Sequence, residues 1–587
     1  MKFFRDLWWF ILQERKSYLI GILTLLFIAL LRLYPPYAVG VIIDGIKDGK
    51  LTSGQLVGRL GAIGIIALLL YGLQYLWRLK LFGAGARLTR NLRDGVYRHL
   101  AKLSPAFYNE RRIGDLMAHM TNDMEAIEHA AGFGVLTLVD SLLTGGLVIF
   151  SMGFLISWKL AIISLLPMPI MAWATSYYGT LLHQRFSLAQ GAFSDLTDRV
   201  REAISGIRVI KAFGREDEEN LTFSRLTQDV VNKDLAVAKV DSLYDPTIQL
   251  IVSISFFLAI SFGSYYVYQG EITIGKLTQF TIYLGDLIWP MLAFGWLFNL
   301  VERGSASYER VNELLKTKEQ VTDRVGALDL YPGGEIDIAI KTFIYPGKEE
   351  PTLEDITIRV GAGQTLGIVG KTGAGKTTLF RLLIREYDCS EGDIRIGGIS
   401  IYDLKLDKLR GNLAYVPQDH YLFSKSIAEN IAFGRPGATT AEIQKAAQLA
   451  AIHEEINSLP AGYETLIGER GVLLSGGQKQ RLAIARALLT QADLLLLDDC
   501  LSAVDANTEM KILKSLREER QGKTTLIAAH RLSAVEHADL IVVFEEGRIR
   551  EQGSHTELLA QHGWYSAVYQ SQQLESLINQ GGEADGS

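Results

Sequence analysis

Cysteine is nearly absent from this sequence, and charge is balanced. Only Cys389 and Cys500 occur in 587 residues, too few for a disulfide framework and in keeping with a reducing compartment. A formal net charge of −6 argues against nucleic acid as a partner of the chain as a whole. The features of a cleavable leader are missing too. Lys2 and Arg5 flank an aromatic run, but Glu14, Arg15 and Lys16 follow it at once and no small-residue cleavage site appears. What is plentiful is apolar surface: 48% of residues are hydrophobic, and they are concentrated in the first half. The length suits two or three domains rather than one.

Six stretches, 18–42, 57–77, 134–156, 160–182, 246–268 and 277–301, carry the ~20 mostly apolar residues that a membrane-crossing helix needs. Short joints link the third to the fourth and the fifth to the sixth. Long segments separate the second from the third and the fourth from the fifth, and these hold the positive charge, for example Arg87, Arg90, Arg93 and Arg98 in one and Arg199, Arg201, Arg208 and Lys211 in the other. The positive-inside rule places both long segments and both termini in the cytoplasm. Helical spacing with charged faces, as in Leu88-Thr89-Arg90-Asn91-Leu92-Arg93, predicts membrane helices that continue into the cytoplasm and turn near Gly114–Met117 and Gly206–Val209. Residues 1–17 read as an amphipathic helix on the inner membrane interface, in contact with lipid. Arg32, Asp140 and Asp286 lie inside spans. Charges at that depth usually face a cavity or a partner, so a substrate path and a structural ion pair are both open. Aromatic residues such as Trp77, Tyr178, Trp289 and Phe294 suit either a hydrophobic ligand or lipid.

From about residue 336 strands and helices alternate, which predicts an α/β domain. Its decisive segment runs Gly370-Lys371-Thr372-Gly373-Ala374-Gly375-Lys376-Thr377-Thr378, a glycine-rich loop between a buried strand and a helix, with the spacing G-x-x-x-x-G-K-[ST]. Its backbone N–H groups and the helix dipole converge on phosphate oxygens. Lys376 would meet the outer phosphates and Thr377 would offer a hydroxyl to Mg2+, so ATP or GTP is the expected ligand. Leu494-Leu495-Leu496-Leu497-Asp498 reads as a strand buried on both faces, ending on a carboxylate for the metal. Between the two, Ser475-Gly476-Gly477-Gln478 opens a helix and forms a second anion site of N–H groups and a hydroxyl.

Leu474-Ser475-Gly476-Gly477-Gln478, lying between the phosphate loop and the acidic strand end, resembles the signature of ATP-binding-cassette exporters. The resemblance covers essentially the whole chain. It implies a type I exporter fold: an interfacial helix at 1–17, an all-α transmembrane domain at 18–320, a linker at 321–335, an ATPase domain of α/β class at 336–575 and a polar tail at 576–587. It further implies that Tyr345 stacks on adenine, that Gln418 touches Mg2+ and water, that Asp505 belongs to the loop at the dimer interface, and that His530 is the switch histidine on the γ-phosphate. Gly468-Glu469-Arg470 resembles the exporter loop that meets the coupling segments. The implied role is multidrug export from a bacterial plasma membrane, with ATP and Mg2+ as cofactors and hydrophobic drug-like molecules as cargo.

One position departs from the family pattern. Most active members carry Glu after the strand-terminal Asp, where it polarises the attacking water; here Asp499 stands there. Its carboxylate is set roughly 1–1.5 Å further back, and positioning losses of that size can cost ~100-fold in rate. In this family each ATP lies between the phosphate loop of one half and the signature of the other. A weak catalytic position beside an intact signature therefore implies a heterodimer, with a second half that has Glu after its own strand-terminal Asp. A homodimeric exporter or lipid flippase with Asp499 as base is the alternative.

Overall fold

A computed structural model describes residues 2–468 and 474–584. The chain divides into two compact units, Met1–Ala101 with Ile113–Thr317, and Lys102–Arg112 with Lys318–Ser587.

The first unit is helical. Among the described residues six helices are long and apolar enough to cross a membrane: Arg15–Lys47, Ser53–Leu100, Ile113–Ile156, Trp158–Ser205, Glu216–Tyr268 and Ile274–Lys316. Each contains one of the expected spans, and most run far beyond it, as the charged helical spacing predicts. Breaks fall where proline removes a backbone donor. The first span interrupts at Leu33, just ahead of Pro35 and Pro36, and the Leu33 carbonyl accepts the Tyr283 hydroxyl of the sixth span at 2.7 Å. The N-terminal segment forms two short helices, Lys2–Asp6 and Trp8–Gln13. They bury Phe3, Leu7 and Phe10 and leave Trp8 and Trp9 exposed, the two-faced pattern of an interfacial helix. Glu14 then ties the start of the first span to the second through a two-pronged bond from Arg87, at 2.7 and 2.8 Å.

The first cytoplasmic turn differs from expectation. Gly114–Met117 lies inside a helix, Ile113–Ala118, and the chain reverses through 101–112, which holds its own short helix, Pro105–Glu110. Pro105 starts that helix, because its fixed φ and missing N–H suit a first helical position. The segment belongs with the second unit. Ala106 is buried in that unit's core, Ser104 Oγ donates to Gln320 Oε1 at 2.7 Å, and Asn109 Nδ2 donates to the Tyr387 hydroxyl at 3.2 Å. The second turn falls where expected, at Gly206, and leads into Ile207–Phe213.

Among its described residues the second unit contains ten strands: β1 (Ile336–Phe343), β2 (Leu353–Val360), β3 (Thr365–Gly370), β4 (Glu391–Ile396), β5 (Ile399–Ser400), β6 (Leu413–Val416), β7 (Leu494–Asp498), β8 (Thr524–Ala528), β9 (Leu540–Glu545) and β10 (Arg548–Gly553). One sheet is antiparallel, in the order β2-β1-β4-β5. The other runs β10-β9-β3-β8-β7-β6, and its five strands from β9 to β6 are parallel. β3, β7 and β8 are continuous hydrophobic or threonine runs because helices cover both faces of a parallel sheet. Buried Arg520 pins the bottom of this sheet. It donates to Thr525 Oγ1 (3.0 Å) and to the carbonyls of Ala492 (2.9 Å), Asp493 (3.0 Å) and Thr524 (2.9 Å).

Arg520→Met keeps the bulk and removes these four bonds, leaving buried carbonyls unpaired. The ATPase unit of the full chain should lose about 3 kcal/mol or more, seen as a fall of roughly 5–10 °C in its calorimetric unfolding transition.

Candidate functional site

The parallel strands end together, and their exits carry the candidate residues. β3 ends on Gly370, whose φ of 148° and close approach to its neighbour leave no room for a side chain: an added Cβ would sit 2.2 Å from the Phe544 carbonyl oxygen. The chain then rises through Lys371, Thr372 and Gly373, all exposed, and enters helix α1 (Lys376–Leu383). Lys376 is buried at the floor of this loop, its ammonium donating to the carbonyls of Gly370 (2.8 Å) and Lys371 (3.0 Å). Burial pulls its pKa down, against the opposing charges of Asp499 and Asp498. The loop's free N–H groups and this ammonium make a cradle for phosphate oxygens.

Next to it, Thr377 Oγ1 donates to Asp498 Oδ1 at 3.1 Å, so the helix start and the end of β7 are joined side chain to side chain. Asp498 is fully buried, and burial lifts its pKa above the usual carboxylate range. Its other oxygen accepts the Tyr415 hydroxyl of β6 at 3.2 Å. The β6–β7 register pairs Val416 with Leu497, which carries Gln418 past the strand end to the level of Asp499. The donors here are oxygens only, and among the described residues no group of three or more His, Cys, Asp or Glu gathers to cage an ion. That chemistry fits Mg2+, a hard ion that keeps water and substrate oxygens as most of its ligands. Thr377, Asp498 and Gln418 are the side chains that would hold it.

Asp499 follows β7 with φ of 46°, an uncommon conformation for a residue other than glycine. Its N–H donates to the Ala528 carbonyl at 2.8 Å, and its own carbonyl accepts from Ser502 Oγ at 3.1 Å. Asp499 and His530 line one cavity of about 140 Å3, together with Ser502, Glu509 and Arg531. His530 arrives there because β8 pairs Ala528 with Asp498 and leaves the sheet two residues before it.

Tyr345 stands at the other side of α1. Its hydroxyl donates to Thr378 Oγ1 at 3.0 Å, and its ring meets Tyr387 edge-on at 5.1 Å. The ring thus stands beside the start of the phosphate-loop helix.

The signature residues are arranged separately. Ser475 caps helix α2 (Gly476–Leu489): its Oγ accepts from Gln478 N, and the Gln478 side chain accepts from Ser475 N. Gln478 also donates to Glu455 at 3.0 Å. A Cβ on Gly477 would fall 2.8 Å from the Ala503 carbonyl oxygen, so only glycine fits there. None of the hydrogen bonds of Ser475 or Gln478 reaches Lys376, Thr377 or Asp499 among the described residues. Asp505 caps helix α3 (Ala506–Glu519) by accepting from Thr508 N at 3.0 Å, and that bond lowers its pKa. Glu469 and Arg470 lie outside the described residues.

Sequence reasoning did not single out three side chains. Tyr415 reads as an ordinary strand aromatic, yet it holds Asp498. Gln480 follows the signature, is buried, accepts from Ala503 N at 3.0 Å and donates to Ser502 Oγ at 3.3 Å, linking α2 to the loop after Asp499. Asn109 lies more than two hundred residues before its partner Tyr387, a separation no local pattern reveals.

The family model described as "ABC transporter transmembrane region" matches residues 18–291, and the one described as "ABC transporter" matches residues 353–502. The chain is 47% identical to the multidrug resistance-like ATP-binding protein MdlA of Escherichia coli, over 99% of this chain and 98% of that protein. It is 46% identical to YheI of Bacillus subtilis, a probable multidrug resistance ABC transporter ATP-binding/permease protein, over 97% of each. A solved bacterial Atm1-family ABC exporter with ATP bound superposes with a TM-score of 0.79 at 30% identity, covering 95% of this chain and 98% of that one.

Tyr415→Phe removes one donor to Asp498 without altering the fold. Partners that orient a metal-binding carboxylate are worth about 10–100-fold in metal affinity. The Mg2+ concentration that half-saturates binding of a fluorescent ATP analogue at this chain's phosphate loop should rise at least about tenfold, and an unchanged titration would rule out the positioning role of Tyr415.

Proposed function

The chain belongs to the ATP-binding-cassette transporters, as a multi-pass bacterial membrane protein whose cytoplasmic ATPase drives transport; from that premise we propose that it is one half of a heterodimeric multidrug exporter, with a slow ATP site of its own and a signature that completes the partner's site. The observation that carries this reading is the backbone of Asp499. Hydrogen bonds hold the residue on both sides, through its N–H to Ala528 and its carbonyl from Ser502. The backbone shift that would bring the shorter carboxylate forward has to break them. Aspartate lacks one methylene relative to glutamate, about 1.5 Å of reach, and the deficit stays.

This reading gives each of the chain's residues a role. Tyr345 stacks the base, the loop from Gly370 to Thr378 wraps the phosphates, and Lys376 turns from the loop carbonyls toward the outer phosphates. Thr377, Asp498 and Gln418 hold Mg2+, which when bound neutralises charge on the phosphate oxygens. His530 approaches the terminal phosphate from the Asp499 cavity. Asp499 is the general-base position, but a poor one. Ser475, Gly476, Gly477 and Gln478 make no hydrogen bond to this chain's own phosphate loop among the described residues, which supports their serving a second subunit. Asp505 holds the start of α3 beside that set, at the interface between halves. The exported compounds are hydrophobic or amphipathic, in line with what the names of the MdlA and YheI relatives say of those proteins.

Asp499→Asn should change the steady-state ATPase of the assembled pair by less than about threefold, because little general-base catalysis is there to lose. Glu→Gln at the partner's equivalent position should lower it by ~100- to 10,000-fold. Ser475→Arg should act like the partner's change, since it puts bulk and charge where the partner's phosphate docks. The rates are measured side by side at saturating Mg-ATP, and equal losses for Asp499→Asn and the partner's Glu→Gln would mean that both sites turn over.

A further inference from the structure

The first unit contains a cavity of about 840 Å3 among the first, second, third and sixth spans. Arg32, Arg78, Asp140 and Asp286 all line it, with the Arg78 guanidinium over the Trp77 ring at 5.4 Å. Arg32 stands 15 residues before the outer end of its span at Lys47, Asp140 16 residues before Ile156, and Asp286 12 residues after Ile274. At 1.5 Å per helical residue, the three charges lie in one layer about 18–24 Å below the outer ends. Asp140 is partly satisfied, since one of its oxygens accepts the Thr144 hydroxyl at 3.0 Å. Neither Arg32 nor Asp286 makes a hydrogen bond or an ion pair among the described residues. Trp77 and Trp289 share the cavity, Trp77 buried and Trp289 half exposed to it. Above the charged layer the first and sixth spans are latched. Asp44 accepts from Thr273 Oγ1 at 2.5 Å and from Gly275 N at 2.8 Å.

We propose that this cavity binds zwitterionic amphiphiles, molecules with an apolar body and a head that carries a cation and an anion a few ångströms apart. This rests on the export reading above and names the chemical class of its cargo. Charges at membrane depth are expensive unless they face a cavity or a counter-charge. Here Arg32 and Asp286 face the same space, near enough to attract each other but without a hydrogen bond or ion pair between them among the described residues. A ligand with only a cationic head answers Asp286 and leaves Arg32 without a bound anion. A ligand with only an anionic head does the reverse. A zwitterion satisfies both at once, and the mismatch built against single charges is what makes the site selective. The tryptophans provide apolar walls, and Trp289, whose ring is not covered by an arginine as Trp77's is, offers a face for the ammonium.

The test uses the assembled transporter in nanodiscs without nucleotide and two dansyl-alkyl probes of equal chain length, one a sulfobetaine and one a trimethylammonium. Fluorescence anisotropy should show the sulfobetaine binding at least about tenfold more tightly. Arg32→Gln should erase that preference by weakening the sulfobetaine alone, Arg32→Lys should restore it, and Asp286→Asn should weaken both probes. Equal or tighter binding of the trimethylammonium probe, or a sulfobetaine affinity unmoved by Arg32→Gln, overturns the proposal. ATP-driven movement in proteoliposomes separates sources of the same head chemistry. Translocation of an acyl-labelled phosphatidylethanolamine points to a lipid, and efflux of the sulfobetaine alone points to a soluble amphiphile; both support a zwitterionic site. If the transporter pumps the trimethylammonium probe and not the sulfobetaine, this inference falls and the export reading stands. If it pumps none of them, both fall.

Discussion

The parallel register of β3, β8 and β7 is the constraint on which the ATPase chemistry depends. It sets Ala528 opposite Asp498 and Thr525 opposite Thr365, so three chain segments far apart in sequence leave the sheet at the same edge. Ligands of open α/β sheets bind at the carboxyl ends of their strands for this reason. The phosphate loop, the metal-binding carboxylate and His530 come together because their strands stop together. A shift of one residue in any pair would turn a leucine toward the phosphates and bury a carboxylate beneath the sheet. What resists such a shift is the polar end of β7, because slipping it would carry Asp498 away from Thr377 and Tyr415.

The same register explains why Asp499 is hard to rescue. Its backbone is the first to leave β7 and still bonds to β8, so it inherits the rigidity of the sheet. Ser502 closes the turn behind it, and Gln480 connects that turn to the signature helix. The catalytic position and the signature are therefore parts of one hydrogen-bonded assembly, although they serve different nucleotides in the arrangement proposed above. A change in either half of the assembly has a route to the other through Gln480, Ser502 and Asp499, each link a bond of ordinary length.

In the helical unit the governing constraint is the cost of polar groups away from water. Backbone groups are satisfied by helices, and where proline interrupts the first span the Tyr283 hydroxyl bonds the Leu33 carbonyl. Charges are restricted in the same way. Glu14 and Arg87 answer each other near the inner interface, whereas Arg32 and Asp286, at mid-span, open on a cavity. Two charged pairs with the same chemistry thus have different fates, decided by whether the partner lies within bonding distance.

Much of this was legible in the residues themselves. Apolar runs of some twenty residues can only be membrane helices, and a glycine-rich loop before Lys376-Thr377 can cradle phosphate because its own N–H groups do the binding. Such features are local, so composition and spacing carry them, and the missing methylene of Asp499 is local in the same sense. The tertiary structure decided what spacing cannot express. It moved the first cytoplasmic turn from Gly114 to the segment around Pro105, because Ala106 and Asn109 find their contacts on the ATPase unit. It gave Tyr415 to Asp498, closed the backbone of Asp499 between Ala528 and Ser502, and collected Arg32, Asp140 and Asp286 into one layer. Apart from the Asp499–Ser502 bond, each of these joins residues tens to hundreds of positions apart, and only packing brings such residues within reach.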